Sequence, residues 1–288
     1  MKKLIFSISL LAGFSAFSQE QTANDAPTSN WTRGGNVSLL FNQSAFNKEW
    51  TGGGTNNYGG NLALSYDANY KKDAWAWDNK LILDYGLTKV DGDDFTKKTN
   101  DRLALTSLLG RQATETWYYS FFANFQTQIA KGYEYSSDGT TRTEKTDFMA
   151  PGYFSFGPGM LWKKSDNLKV NIAPATSRMI FTKNRFTQSG AHFGVEQGKT
   201  FRFEFGASVN AYAKFNLVEN VSMENILSLY SNYLDKPANV DIDYTMNLAM
   251  KVNDYLSANI TFQAIYDDDA VGAFQIREAF GAGLTYKF

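Results

Sequence analysis

Phe201-Arg202-Phe203-Glu204-Phe205-Gly206-Ala207-Ser208-Val209-Asn210-Ala211-Tyr212-Ala213-Lys214-Phe215 is the stretch on which the fold turns. Its odd positions are apolar throughout, while its even positions include Arg202, Glu204, Ser208, Asn210 and Lys214. Side chains alternate across a strand, so this period of two describes an extended segment with one greasy and one hydrophilic face. Length then separates two kinds of β-protein. Soluble sandwiches use strands of about 5–6 residues, and bilayer-crossing strands need about 9–11, tilted. The run from Phe201 to Phe215 exceeds the longer requirement.

The same alternation recurs on both sides of it. Leu62, Leu64, Tyr66, Ala68 and Tyr70 oppose Asn61, Ala63, Ser65, Asp67 and Asn69. Trp117, Tyr119, Phe121, Ala123, Phe125, Thr127 and Ile129 oppose Tyr118, Ser120, Phe122, Asn124, Gln126 and Gln128. Val240, Ile242, Tyr244, Met246, Leu248, Met250 and Val252 oppose Asp241, Asp243, Thr245, Asn247, Ala249 and Lys251. Weaker runs start near Val37, Trp75, Leu103, Tyr153, Val170, Val221, Leu256 and Phe274. That makes about twelve strands, an even number as bacterial barrels require.

Connections alternate in length. Lys71–Asp73, Gln112–Glu115, Lys163–Asn167, Glu219–Asn220 and Asn253–Asp254 read as tight turns. Longer loops fall at 43–57, 88–100, 131–150, 183–200, 234–239 and 267–273. Short turns on the periplasmic side and long loops outside are the outer-membrane barrel pattern, and both chain ends fall with the short turns. Aromatic rings gather at strand ends: Trp75, Trp77, Trp117, Tyr119, Tyr70 and Tyr286 on the periplasmic side, Tyr85, Tyr233 and Tyr266 toward the other. Such rings favour the headgroup interface. The predicted fold is all-β, a transmembrane antiparallel up-and-down barrel over residues 31–288.

Composition agrees. The 288 residues include 16% aromatic and only 5 Pro, a β-rich bias. A mean hydropathy of −0.37 is too polar for a helical membrane protein. Net charge is −1, which argues against nucleic acid as a partner. With no Cys and one His, the chain has neither disulfides, thiolate metal sites nor a two-His zinc site; no cofactor is implied. Met1-Lys2-Lys3, the apolar run Leu4–Phe14 and Ala16-Phe17-Ser18 read as a secretory signal peptide (1–18), cleaved before Gln19. The polar segment 19–30 reads as a flexible lead-in. Export places the barrel in the outer membrane of a Gram-negative bacterium, among outer-membrane lipids. The ending Phe280-Gly281-Ala282-Gly283-Leu284-Thr285-Tyr286-Lys287-Phe288 has the form of an insertion signal for the outer-membrane assembly machinery.

Several blocks resemble a Bacteroidota outer-membrane family catalogued as a domain of unknown function. They are Trp31-Thr32-Arg33-Gly34-Gly35, Phe41-Asn42-Gln43, Glu49-Trp50-Thr51-Gly52-Gly53-Gly54, Asn100-Asp101-Arg102-Leu103, Thr127-Gln128, Lys131-Gly132-Tyr133 and Ala150-Pro151-Gly152-Tyr153-Phe154. The resemblance implies an integral barrel and brings no activity, ligand or catalytic residue.

Chemistry has few candidates. Trp31 and Trp50, each before a Gly run, fit interface anchors and close backbone approach, or a loop folded into the mouth. His192 with nearby Ser189 would suit a lipid-modifying enzyme only if a third group oriented the pair. Asp91-Gly92-Asp93-Asp94 and Asp267-Asp268-Asp269 fit solvated acidic loop tips; Thr96 and Arg102 at the sixth and twelfth positions fail the EF-hand pattern. Inward charges are expected at Asp67, Asp78, Lys80, Asp84, Arg102, Arg202, Glu204, Lys214, Glu224, Asp241, Asp243, Lys251 and Arg277, with Lys214 opposite Glu224. All but Asp78 make up the expected lumen lining. Inward Tyr118, Phe122, Phe154, Phe156, Trp162, Tyr212 and Tyr230 would narrow the bore. The reading is a non-catalytic narrow or gated passage for a small solute, or a structural or accessory subunit. An enzyme using His192 and a secreted soluble binding module remain as alternatives.

Overall fold

Twelve strands close into an antiparallel barrel, each pairing with its neighbours around the ring. They are β1 (Trp31–Ser44), β2 (Asn57–Lys72), β3 (Trp75–Val90), β4 (Lys97–Gln112), β5 (Trp117–Thr127), β8 (Gly152–Ser165), β9 (Leu168–Phe181), β10 (Phe201–Val218), β11 (Val221–Asn232), β12 (Asp241–Lys251), β13 (Leu256–Tyr266) and β14 (Gln275–Lys287). A hairpin of β6 (Gly132–Tyr135) and β7 (Arg142–Thr146) stands in the β5–β8 connection, where the sequence suggested only a loop, and a single helical turn α1 (Asn184–Thr187) follows β9. This is a computed structural model that describes residues 29–47, 55–269 and 272–288. The signal peptide, nearly all of the 19–30 lead-in, and Glu49–Gly54 with Trp50 lie outside the described residues.

Strand lengths of 11 to 18 residues suffice to cross a bilayer. The turns Asp73–Ala74, Asp166–Asn167 and Glu219–Asn220 each join two strands in two residues. Asp73 and Asn220 take positive φ there (50° and 62°), a conformation Asp and Asn tolerate better than most side chains. Residues 113–116 and 252–255 make the other two connections at this rim, and the longer loops lie at the opposite one.

Apolar faces look outward. Leu39, Leu62, Leu105, Phe121, Phe203, Phe215 and Phe280 are all exposed, whereas Asp78 and Glu204 are buried. Leu64 and Met246 share the outward face through their pairing with Val37 and Phe262. A water-soluble shell would show the reverse, and an apolar belt of this kind needs hydrocarbon around it. The closed ring also pairs strand edges around the circumference, apart from a stretch of β14 above Ala282. The protein is therefore an integral barrel of the outer membrane.

Three expected inward aromatics face lipid instead. Phe154, Phe156 and Trp162 pair with outward Phe125, Ala123 and Trp117, and Phe156 lies 6.3 Å from Phe121. Both faces of this strand carry aromatics, so its phase was ambiguous. The inward positions are Tyr153, Ser155, Gly157, Gly159 and Leu161. The two glycines lie opposite the bulky Phe122 and Ser120, and a Cβ on either would strike a β9 carbonyl oxygen.

Candidate functional site

Charged side chains inside the barrel gather in tiers. Near the periplasmic end, Lys163 and Lys169 both bond Asp78, at 2.8 and 2.7 Å. Beside them Ala76, Leu108, Tyr118, Phe122, Leu161 and Ala173 form a buried apolar cluster. Across the lumen Lys80 bridges Asp67 (3.4 Å) and Glu224 (3.2 Å), and Glu224 also accepts from Tyr212 Oη at 2.8 Å. Higher up, Arg178 holds Asp241, lies 3.7 Å from Glu204, and sits over the rings of Tyr153 and Tyr230. Arg202 bonds Glu204 at 2.8 Å and Asp269 at 2.6 Å.

Between these tiers the bore is open. A cavity of about 860 Å³ includes Asp67, Lys80, Asp84, Arg102, Lys214, Glu224, Lys251 and Arg277 in its walls and extends to the periplasmic turns at Asn220 and Asp254. A second space of about 300 Å³ on the loop side is lined by Lys98, Gln126, Tyr153 and Gln263. Asn100, Arg102 and Arg277 line both.

At the loop-side mouth, ion pairs tie the loops to one another. Asp147, at the base of the β6–β7 hairpin, accepts from Lys183 and Arg185, each at 2.5 Å, and Arg185 also reaches Glu144. The Lys183 and Arg185 hydrogen bonds hold the Asp147 carboxyl far below the usual range. The Arg185 hydrogen bond also lowers the Glu144 carboxyl. Arg202 donates to the Gly194 carbonyl at 2.8 Å, tying the 182–200 loop to the wall. Asp268 accepts from Lys236 and Asn239, both at 2.8 Å, joining two further loops and lowering its own pKa.

Of the expected residues, Lys214 and Glu224 do stand opposite one another, yet Glu224 is taken by Lys80, Tyr212 and Asn247 while Lys214 is exposed. Lys251 sits at the rim, 2.7 Å from Asp254. Asp243 accepts from Gln263, which in turn accepts from Arg277. Asp84 stands near Arg102 and Arg277. Arg178, Lys163 and Lys169 escaped the sequence reading. Pro174 stands in an irregular stretch of β9 where the register with β8 and β10 shifts, so Lys169 faces inward at odd parity and Arg178 at even.

His192 is a packing residue. Its ring lies 4.1 Å from that of Phe193 and 6.0 Å from Phe186, and Nε2 faces the Lys145 carbonyl at 3.4 Å. Ser189 is not among its partners, so the nucleophile–base pair an enzyme would need is not assembled. The acidic loop tips serve ion pairs: Asp93 with Lys97, Asp268 with Lys236, Asp269 with Arg202.

No curated protein matches the chain. Among solved structures it is similar to the translocator domain of the autotransporter NalP from Neisseria meningitidis, at 8% identity and TM-score 0.37, covering 92% of this chain and 90% of that one. An outer-membrane channel from Pseudomonas putida F1 aligns at 12% identity and TM-score 0.39, covering 91% and 96%. The NanC porin aligns at 10% identity and TM-score 0.38, covering 86% and 98%. Residues 41–133, from the upper part of β1 into the β6–β7 hairpin, match the family described as protein of unknown function (DUF3078).

Proposed function

We propose that the barrel is a narrow, gated passage for small polar solutes across the outer membrane. The observation that carries this reading is the pair of chambers, each with charged side chains in its walls, that share Arg102 and Arg277, one reaching the periplasmic turns and the other lying beneath the loops. A purely structural barrel of this size would gain by filling its bore with side chains, as small barrels do. The lining is assigned to Asp67, Lys80, Asp84, Arg102, Arg202, Glu204, Lys214, Glu224, Asp241, Asp243, Lys251 and Arg277. The gate is assigned to the ion-paired loops at the mouth, whose exposed links are individually weak and exchangeable.

The final strand serves as the handle for the outer-membrane assembly machinery in this reading. Phe288 is 54% exposed on the lipid side, its ring stacked on Tyr286 and Tyr66. Refolded protein, shown to be folded by heat-modifiable gel migration, is expected to give discrete conductance steps in planar bilayers. Folded protein with a flat current trace would leave only the structural or accessory role.

A further inference from the structure

Among the described residues, most cations inside the barrel are held by a carboxylate, exposed Lys214 near the periplasmic rim being one exception. Lys80, Lys163, Lys169, Arg178 and Arg202 all have one within ion-pair distance. Arg102 and Arg277 differ. Among the described residues neither has a carboxylate oxygen within 4.0 Å. Arg102 Nη1 makes one long contact, 3.4 Å to Thr245 Oγ1 on the far side of the lumen, and its Nε is buried with no acceptor. Arg277 Nη2 donates to Gln263 Oε1 at 3.2 Å, and its Nη1 is likewise buried with no acceptor. Buried guanidinium N–H groups without acceptors are costly, and native interiors rarely leave them so.

Position adds a second observation. These two side chains line both chambers, so they form the neck between them. They come from β4 and β14 and lie within electrostatic reach of each other. Like charges held together repel unless something negative sits between them. Asp84, directly across from Arg102 on β3, and Asp243, which accepts from Gln263 Nε2 at 3.1 Å, offset part of that repulsion, yet neither comes within ion-pair distance of the two arginines or bonds their buried N–H groups. In the loop-side chamber the one other cation, Lys98, is satisfied by Asp101, Gln128 and the Ala130 carbonyl. Among the described residues, the buried unbonded donors at the neck are those of the two arginines.

We propose that Arg102 and Arg277 together form a binding site for a small oxyanion, a carboxylate or phosphate group, at the neck between the two chambers. Guanidinium forks match the geometry of such groups and bond them more strongly than neutral acceptors. The inference deepens the passage reading, on which its role as a solute site rests, by naming the class of solute. Binding itself can be measured without passage.

The test uses the full mature chain refolded in detergent, titrated calorimetrically at low chloride with inorganic phosphate and, separately, with succinate. Saturable binding of at least one is expected, and which one binds distinguishes a tetrahedral from a planar oxyanion. R102Q and R277Q should each weaken it by about tenfold or more, the loss of a charge-assisted hydrogen bond. K145Q, which removes an equal charge from the outer hairpin, should leave it unchanged. Flat heats for both anions with the wild-type barrel overturn the site, as does unaltered binding in R102Q and R277Q variants that remain heat-modifiable. Should either variant fail to fold, the wild-type titration still decides. Planar-bilayer currents separate the two readings: binding without conductance retains the site and removes the passage. Conductance with flat titrations removes the site alone.

Discussion

Gly35 shows how a single residue closes this barrel. It exchanges backbone hydrogen bonds with Phe288, N to O at 2.8 Å and O to N at 3.1 Å. A Cβ there would stand 2.5 Å from the Ser65 carbonyl oxygen and 3.0 Å from the Phe288 ring. The Trp31-Thr32-Arg33-Gly34-Gly35 block thus has a mechanical reason: its glycines let the two chain ends lie flat together, while Trp31 packs 5.3 Å from Tyr70 and 5.6 Å from Trp77. Gly35→Val should lower the urea midpoint of vesicle unfolding by overpacking, at a cost of about 1–3 kcal/mol; an unchanged midpoint would mean the ring and carbonyl simply move aside. The faces can be tested the same way. Leu64→Arg sets a charge against lipid and should cost about 2–4 kcal/mol near the midplane, whereas Ser65→Arg points into the open chamber and should cost much less. Outward polar groups survive because they are mutually bonded. Trp77 Nε1 donates to Ser107 Oγ, which reaches Asn79 Oδ1, each at 2.8 Å, and Asn79 Nδ2 donates to the Ala68 carbonyl.

Elements obey the two-residue period until something breaks it, and those breaks mark the limits of what the sequence reveals. In β9 the irregular stretch around Pro174 exchanges the inward and outward parities, which hid Arg178 although every residue around it was in plain view. In β8 both faces carry aromatics, so the phase could be settled only by partner strands. Neither the hairpin β6–β7 nor the loop contacts are periodic, and ion pairs across loops depend on folding that local pattern does not encode. By contrast the turns and the strand count follow directly from alternation. Two elements yield predictions. Asp78 on β3 neutralises Lys163 of β8 and Lys169 of β9, with all three side chains at most 20% exposed. Asp78→Asn leaves two partly buried ammonium groups facing each other and should destabilise the barrel by about 3 kcal/mol, read from its unfolding midpoint. At the mouth, Asp147 has its carboxyl pKa depressed by Lys183 and Arg185. Its contribution is therefore complete above the ordinary carboxylate pKa and is lost only as pH falls through the depressed value. The loops should stay closed across neutral and mildly acidic pH and open in strong acid. Asp147→Asn should mimic that opening at neutral pH, raising protease cleavage within 182–200; equal cleavage of variant and wild type would argue against the latch.

Viewed as a whole molecule, the ring is not equally strong around its circumference. β2 and β3 pair from Asn57↔Val90 to Lys72↔Trp75, and every other neighbouring pair except β1–β14 extends over ten residues or more along its strands. At the closing seam β1 and β14 pair only from Asn36↔Lys287 to Phe41↔Ala282, extended by the Gly35–Phe288 bonds. Above that point β14 continues to Gln275, bonded to β13 but not to β1 among the described residues. A backbone amide left unpaired in hydrocarbon costs several kcal/mol, so this stretch must sit at headgroup depth or open readily. Glu278 supports that placement: it is an exposed carboxylate on the outward face, opposite Phe262. Its presence, unexplained by alternation, becomes reasonable at a wet seam near the rim. Two outcomes follow for the barrel in lipid vesicles. Amides of Gln275–Phe280 not bonded to β13 should exchange hydrogen faster than those in the middle of β2 and β3. Glu278→Leu should change stability by no more than about 1 kcal/mol, the interfacial rather than the midplane value. Protection at the seam equal to that in β2, together with a large gain from Glu278→Leu, would place this stretch deep in hydrocarbon and require that its free edge be covered by another strand.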